Sequence, residues 1–246
     1  MSTPRRSGRG PGRFWRGVAA VVVVLAVLAV VIDRVAVRIA EDQAASRFQS
    51  REHLSHKPTV TIRGFPFLNQ VVAGHFDDVT LTAADLVLVG DGRSVTITTL
   101  YARLRGLTLS RDLSSATAES GTGRAVISYP SLSRATGATV EWAGRTADSQ
   151  GRVRARKTVT VLGQDFTGSV SAEVGVSGRN VVEFASPTMN FGGVVVPQIV
   201  ADQFAGLLPP LVLDGLPAGL TVRDVTADPA GIIVDLTARN IRLNSR

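Results

Sequence analysis

Apolar residues run along the chain in two rhythms that change over near Pro58. From Phe14 to Ile32 only Arg16 and Gly17 interrupt an apolar segment, and Val18 to Ile32 is continuously apolar. A hydrocarbon core of roughly 30 Å needs about 20 helical residues, so residues 14–32 predict one N-terminal transmembrane helix. Trp15 is placed for the interface and Arg16 can snorkel. Helix is expected to continue from Asp33 to about His53, with Ala36, Ala40, Ala44 and Phe48 in a stripe widened by Val35 and Ile39.

After Pro58 the period becomes two. Val60 and Ile62 alternate with threonines, as do Val79, Leu81 and Ala83. Val95 and Ile97 begin a strand that switches its apolar face to Leu100, Ala102 and Leu104. Between Arg152 and Val161, Arg152, Arg154, Arg156, Thr158 and Thr160 face one way while Val153, Ala155, Val159 and Val161 face the other. Phe166, Val170, Ala172, Val174 and Val176 repeat the pattern in the next strand. Leu220–Val225 and Ile232–Leu236 flank Asp228-Pro229-Ala230-Gly231, which has the residues of a hairpin turn. Gly90-Asp91-Gly92 and Ser177-Gly178-Arg179-Asn180 are further turns by composition.

Short helices are expected at Leu68–Ala73, at Ser131–Thr136, and at Pro197–Leu208. The last places Val196, Val200, Phe204, Leu207 and Leu208 on one face before Pro209-Pro210 stops it. Alternating, turn-linked strands mean an antiparallel sheet with one dry and one wet face. With so few helices to cover it, the sheet must curl. It can curl onto its own helices, or leave an apolar groove for a ligand. The class is α+β.

Charge changes this picture mainly at one end. The formal net charge is +7, but residues 1–32 hold five arginines and no acid, which leaves the rest at only +2. That argues against a nucleic-acid-binding domain. The arginines form a topology signal instead, holding residues 1–13 in the cytoplasm as a tail too polar to fold. Residues 33–246 then form one domain in the periplasm or extracytoplasmic space. A cleaved signal segment has the same charge order. No small-x-small cleavage site follows Ile32, so an uncleaved anchor is preferred.

Candidate chemistry is sparse. With no cysteine there is no disulfide, thiolate metal site or cysteine nucleophile. No G-x-S-x-G, H-E-x-x-H or Walker loop occurs, and Gly121-Thr122-Gly123 lacks the third glycine of a dinucleotide loop. His53 and His56 have ligand-like spacing without a third ligand, and Asp77-Asp78 point to opposite faces of a strand. No catalytic residue, metal or cofactor is assigned. Arg152, Arg154 and Arg156 form the water side of a strand, with an anionic headgroup contact as the alternative.

One segment stands apart. Between Gly64 and Phe76, three phenylalanines sit with Leu68, Val71, Val72 and Ala73 in thirteen residues bracketed by glycines. Phe67, Leu68, Val71 and Val72 form an apolar ridge on a helix opened by Pro66. The string Gly64-Phe-Pro-Phe-Leu-Asn-Gln-Val-Val-Ala-Gly-His-Phe-Asp-Asp-Val-Thr-Leu81 resembles the signature of the actinobacterial LmeA-like phospholipid-binding family. Leu216–Leu236 and Ala125–Leu132 resemble other parts of that family, so the likeness covers roughly residues 40–243. His75-Phe76 departs mildly from the family pattern, which often has a basic residue followed by an aromatic there.

The resemblance implies a cell-envelope protein with a fold similar to tubular lipid-binding (TULIP-like) domains, a long helix wrapped by a strongly curved, mostly antiparallel sheet. It implies phospholipid as the partner, and in the mycobacterial member a part in elongating a lipoglycan mannan. On the density of the signature segment, Phe65, Phe67, Leu68, Val71, Val72 and Phe76 are the candidates for contacting lipid. Arg63 and Arg103 are candidates for an anionic headgroup. Two alternatives stay open: an enzyme or enzyme accessory in envelope glycan or lipid assembly, and a non-catalytic partner-binding ectodomain.

Overall fold

The computed structural model describes residues 12–51, 54–90, 93–110, 115–145, 149–161, 163–178, 180–193, 195–196, 198–213 and 218–244. The basic tail before residue 12 lies outside them. So do His53, Asp91, Gly92, Arg179 and Pro197, each of which belonged to an expected feature. In the first helix, side chains are described from Val22 to Ser50.

Without a proline or glycine after Gly17, the expected span and the helix after it form one element, α1 (Gly12–Arg51). At 1.5 Å per residue it is about 60 Å long. Val22–Ile32 are exposed throughout. Among the described residues no helix is long and apolar enough to cross a membrane. The expected span begins at Phe14, ahead of the first described side chain.

The face of α1 that meets the domain includes the alanine stripe, with Ala36 and Ala40 packed beside the buried core and Ala44 and Phe48 partly buried, but it is centred one residue further on. Val37 and Ala45 are buried on it together with Asp33, while Val35 and Ile39 are exposed. The seam is shifted by one residue because it also carries acceptors. Asp33 Oδ1 takes the amide of Leu68 at 3.0 Å and Glu41 Oε1 takes that of Ile62 at 2.7 Å. Asp33, Val37, Glu41 and Ala45 recur every four residues, so one row bonds and packs at once.

The strands follow the alternation. After β1 (Thr59–Arg63) and α2 (Phe67–Ala73) come β2 (His75–Gly90), β3 (Arg93–Leu109) and β4 (Ser115–Ile127). Then α3 (Tyr129–Thr136) leads to β5 (Thr139–Trp142), β6 (Arg152–Val161), β7 (Gln164–Ser177) and β8 (Val181–Asn190). The chain closes with α4 (Gln198–Ala205), β9 (Leu211–Val212), β10 (Ala218–Asp228) and β11 (Gly231–Asn244). These form two antiparallel sheets, ordered β1-β2-β3-β4-β11-β10 and β5-β6-β7-β8-β9.

The curled antiparallel architecture and the long N-terminal helix match expectation, but the helix is not what fills the curl. The main contacts of α1 are with β1 and α2, at one edge of the six-stranded sheet. The main core lies where the two sheets face each other. Val153, Ala155, Val170 and Val174 of one meet Val225, Ile232 and Val234 of the other. Leu132 of α3 and Val200 and Phe204 of α4 complete it, which places the expected α4 face as read.

The expected change of face in β3 is present, opposite an irregularity in β2. Pairing passes from Ala84–Thr99 to Leu86–Ile97, and Asp85 between them is left-handed at φ 54°. Ile97 and Leu100 both pack on the same core. In the β10–β11 turn, Asp228 Oδ1 accepts the amides of Ala230 (2.8 Å) and Gly231 (3.1 Å). Gly121 and Gly123 leave room for neighbours: a Cβ at Gly121 would lie 2.7 Å from Ile241 Cδ1, and one at Gly123 3.3 Å from Leu236 Cβ.

Candidate functional site

The signature segment folds into α2 and its two ends, and its two glycines and its glutamine have local reasons. Gly64 has φ +121°, and a Cβ there would lie 2.2 Å from Gln70 Nε2 and 2.9 Å from Asp77 Oδ2. The space goes to the buried Gln70 side chain, whose Oε1 accepts the Asp77 amide at 3.0 Å. So Gln70 ties the helix back to the start of β2 across the space that Gly64 leaves open. Gly74 closes α2 in a left-handed cap (φ 65°, ψ 21°), and its carbonyl takes the Leu109 amide at 2.8 Å.

The N-terminus of α2 has a problem that its own sequence cannot solve. Pro66 stands at the cap position with no side-chain acceptor. Asp33, thirty-five residues earlier on α1, supplies the acceptor to Leu68. Its other oxygen holds Arg34 Nη2 at 3.2 Å, and the Arg34 guanidinium lies 5.2 Å from the centre of the Phe65 ring. Reading the sequence missed Asp33 and Gln70. The available signal was the cap itself: a helix opened by proline needs an acceptor from elsewhere.

Helical spacing divides the candidate lipid residues. Phe67 and Phe76 are 3% and 8% exposed, packed on Val37 with ring centres 6.2 Å apart. Phe65 (62%), Leu68 (40%), Val71 (47%) and Val72 (90%) face outward. The expected single ridge is therefore two faces. Phe67 and Gln70, three apart, point into the domain, while Leu68, Val71 and Val72 point out. Asp33 and Arg34, just after the apolar run of α1, respectively bond the Leu68 amide and lie over the Phe65 ring, and the two buried phenylalanines seat the helix beneath its outward residues.

The two headgroup candidates differ in availability. Arg103 is committed: its Nε lies 3.0 Å from both oxygens of Asp78, and its Nη2 also bonds Oδ2. These hydrogen bonds hold the Asp78 carboxyl below its ordinary range against the upward push of burial, and the charges of Arg103, Arg63 and Arg105 add to them. Arg63 is exposed, opposite Asp78 in the β1–β2 ladder.

A depressed carboxyl pKa contributes stability above the unfolded value and loses it as pH falls through the folded value. Asp78→Asn is therefore expected to lower the urea midpoint at pH 7, and the gap to the parent should shrink on acidification below about pH 4. Urea unfolding of both proteins at pH 7 and pH 3 checks this. A gap of equal size at both values would remove the ion pair from the account.

Other titratable groups form no reactive set among the described residues. No cluster of three or more His, Asp or Glu side chains there could hold a metal. His56 Nδ1 stands 3.6 Å from Asp85 Oδ2. Tyr129 has its phenol pKa raised by burial, with a smaller push from the Asp228 charge, and its hydroxyl donates to the Asp228 carbonyl at 2.6 Å. It is a strut between α3 and the β10–β11 turn.

What the geometry offers is an outward apolar face, rigidly seated and capped, on the most distinctive segment of the chain. No curated protein and no solved structure matches this sequence. One family model does, described as LmeA-like phospholipid-binding, and it matches residues 31–237. That span takes in Asp33, the whole of α2 and both sheets as far as the middle of β11. The chain belongs to the LmeA-like phospholipid-binding family.

Proposed function

We propose that this protein is a membrane-anchored, extracytoplasmic phospholipid-binding protein that holds or transfers lipid in the cell envelope. Its observation of greatest weight is the outward face of α2 with the residue just before the helix cap, where Leu68, Val71, Val72 and Phe65 meet solvent within the family's signature segment. Four apolar side chains left in water on one short segment are an uncompensated cost that contact with acyl chains removes. A bilayer shelters those chains equally well, so a carrier needs an accessible apolar face more than strong polar contacts. The reading requires no reaction and no cofactor.

The anchor is residues 14–32, a span that includes residues 14–21, whose side chains lie outside the described ones. Its support is the continuous apolar run from Val18 and the five arginines before Asp33. This puts the N-terminus in the cytoplasm and the domain outside. On the family resemblance alone, the proposal extends to supporting mannan assembly.

The absence of native cysteines makes the topology testable. In intact cells a membrane-impermeant maleimide should label Val195→Cys and spare Ser2→Cys; the reverse pattern would invert the assignment. For lipid, the full chain is purified in mild detergent and weighed by native mass spectrometry, with phospholipid expected to remain bound. Lipid-free protein that also fails to speed transfer of a fluorescent phospholipid between vesicles would overturn the reading.

A further inference from the structure

The wet face of the second sheet is a cleft of about 550 Å³, a size that suits a small ligand. Arg152, Arg154 and Arg156 line one side, and among the described residues no carboxylate lines it. We propose that this cleft binds a phosphorylated polyol, a phosphate ester flanked by hydroxyls. The inference concerns a different surface from α2 and a phosphate-binding chemistry that the apolar contact proposed there does not supply.

The register builds the site row by row. Arg154 stands opposite Ser171, which pairs with Thr188; Arg156 stands opposite Ser169, which pairs with Asn190. Alternation puts all six side chains on one face. A bulge kinks β8 just before Thr188: pairing jumps from Glu173–Ala185 to Ser171–Thr188, and Ser186 is left-handed at φ 49°.

Local bonds turn these groups toward donation. Ser171 Oγ accepts from Arg154 Nε at 3.2 Å, which leaves its hydroxyl hydrogen to donate. Asn190 Oδ1 accepts the Gly192 amide at 2.8 Å, which leaves its NH2 group. Guanidinium, hydroxyl and amide donors converging without a carboxylate are the chemistry of an oxyanion site. The Ser169 and Thr188 hydroxyls can exchange hydrogen bonds with those of a polyol.

The plain competing account is a solvated strand whose arginines are already paired. Arg152 bonds Glu173 at 2.9 Å, while Arg154 and Arg156 share Glu141 at 3.7 and 3.4 Å. Three guanidiniums thus meet two carboxylates, which leaves an unmatched positive charge. Glu141 sits on β5, across β6 from the cleft, and its pairs are exposed. Exposed pairs are individually weak, so a doubly charged phosphate can recruit both guanidiniums.

The test uses the full chain in phosphatidylcholine nanodiscs and calorimetry with two probes. Glycerol 3-phosphate represents a free ester, and dihexanoyl phosphatidylglycerol, kept below its micelle concentration, represents a lipid headgroup. At least one should bind, and the R154Q/R156Q double variant should bind it about tenfold more weakly or worse. R124Q, which breaks an exposed pair with Asp235 on the other sheet, should bind as the parent does. Binding of glycerol 3-phosphate identifies a free ester, and binding of the lipid alone identifies a headgroup. Equal affinity of parent and double variant, or no binding of either probe by the parent, would overturn the proposal. Lipid retention in native mass spectra is read separately, so the two readings fail independently.

Discussion

Phe67→Ala is expected to lower the unfolding free energy by about 3–5 kcal/mol, while Leu68→Gln/Val72→Gln changes it by about 1 kcal/mol or less. Phospholipid retention should respond in the opposite order, falling about tenfold in the double glutamine variant. The reasoning is one of position along a seven-residue helix. Phe67 fills the space between α1 and the start of β2, where Val37 and Phe76 surround it. Truncation removes its buried area and leaves a cavity that the clamped helix cannot easily close. Leu68 and Val72 sit one and five residues further on and face out, so glutamine there costs little fold and removes apolar contact surface. Urea unfolding and native mass spectrometry on the same samples separate the two effects. Full lipid retention in the glutamine variant would return the outward face to mere surface, and an unchanged midpoint for Phe67→Ala would deny that α2 has a core seat.

Gly151→Ala should lower stability on the order of 3 kcal/mol, which for a domain of this size is a melting shift of roughly 10 °C. Gly151 lies where the two sheets meet. The Gln150 carbonyl accepts the Ala227 amide at 2.8 Å and the Gly151 carbonyl accepts that of Val174 at 3.1 Å. Its φ is +102°, and an added Cβ would stand 2.3 Å from the Ala227 carbonyl oxygen. Both the conformation and the contact are backbone matters, so no side-chain rotation relieves them. Gly137→Ala is the control: it too is left-handed, at φ +65°, but nothing lies within 4 Å of the added carbon. Equal melting shifts for the two variants would mean that the joint between the sheets yields to the added methyl.

Local patterns read well from this sequence because they answer local questions. The alternation of Arg152–Val161, the Asp228–Gly231 turn and the buried face of α4 each depend on residues within about a dozen positions. The same holds inside the signature segment, where Gly64, Gln70 and Asp77 meet within fourteen residues. The stripe on α1 read only in part: Ala36 and Ala40 do pack on the core, but Val35 and Ile39 are exposed and the centre of the contact is one residue away. Hydrophobicity favours Ala36, Ala40, Ala44 and Phe48, but the helix turns Asp33 and Glu41 inward because two backbone amides need acceptors there. Arg103 shows the same limit: its charge is visible in the sequence, its commitment to Asp78 only in the ladder that sets them near each other.

By itself, then, the sequence determined the antiparallel strands, the single long N-terminal helix, the class and the family, since period, turn chemistry and motif survive without knowledge of contacts. Only the tertiary structure decided that the strands form two facing sheets, that α1 runs along an edge, and that one apolar ridge divides into seat and outward face. Those outcomes turn on pairings across tens of residues. There the need to satisfy buried backbone groups and to fill volume selects among arrangements that hydrophobic periodicity leaves equal.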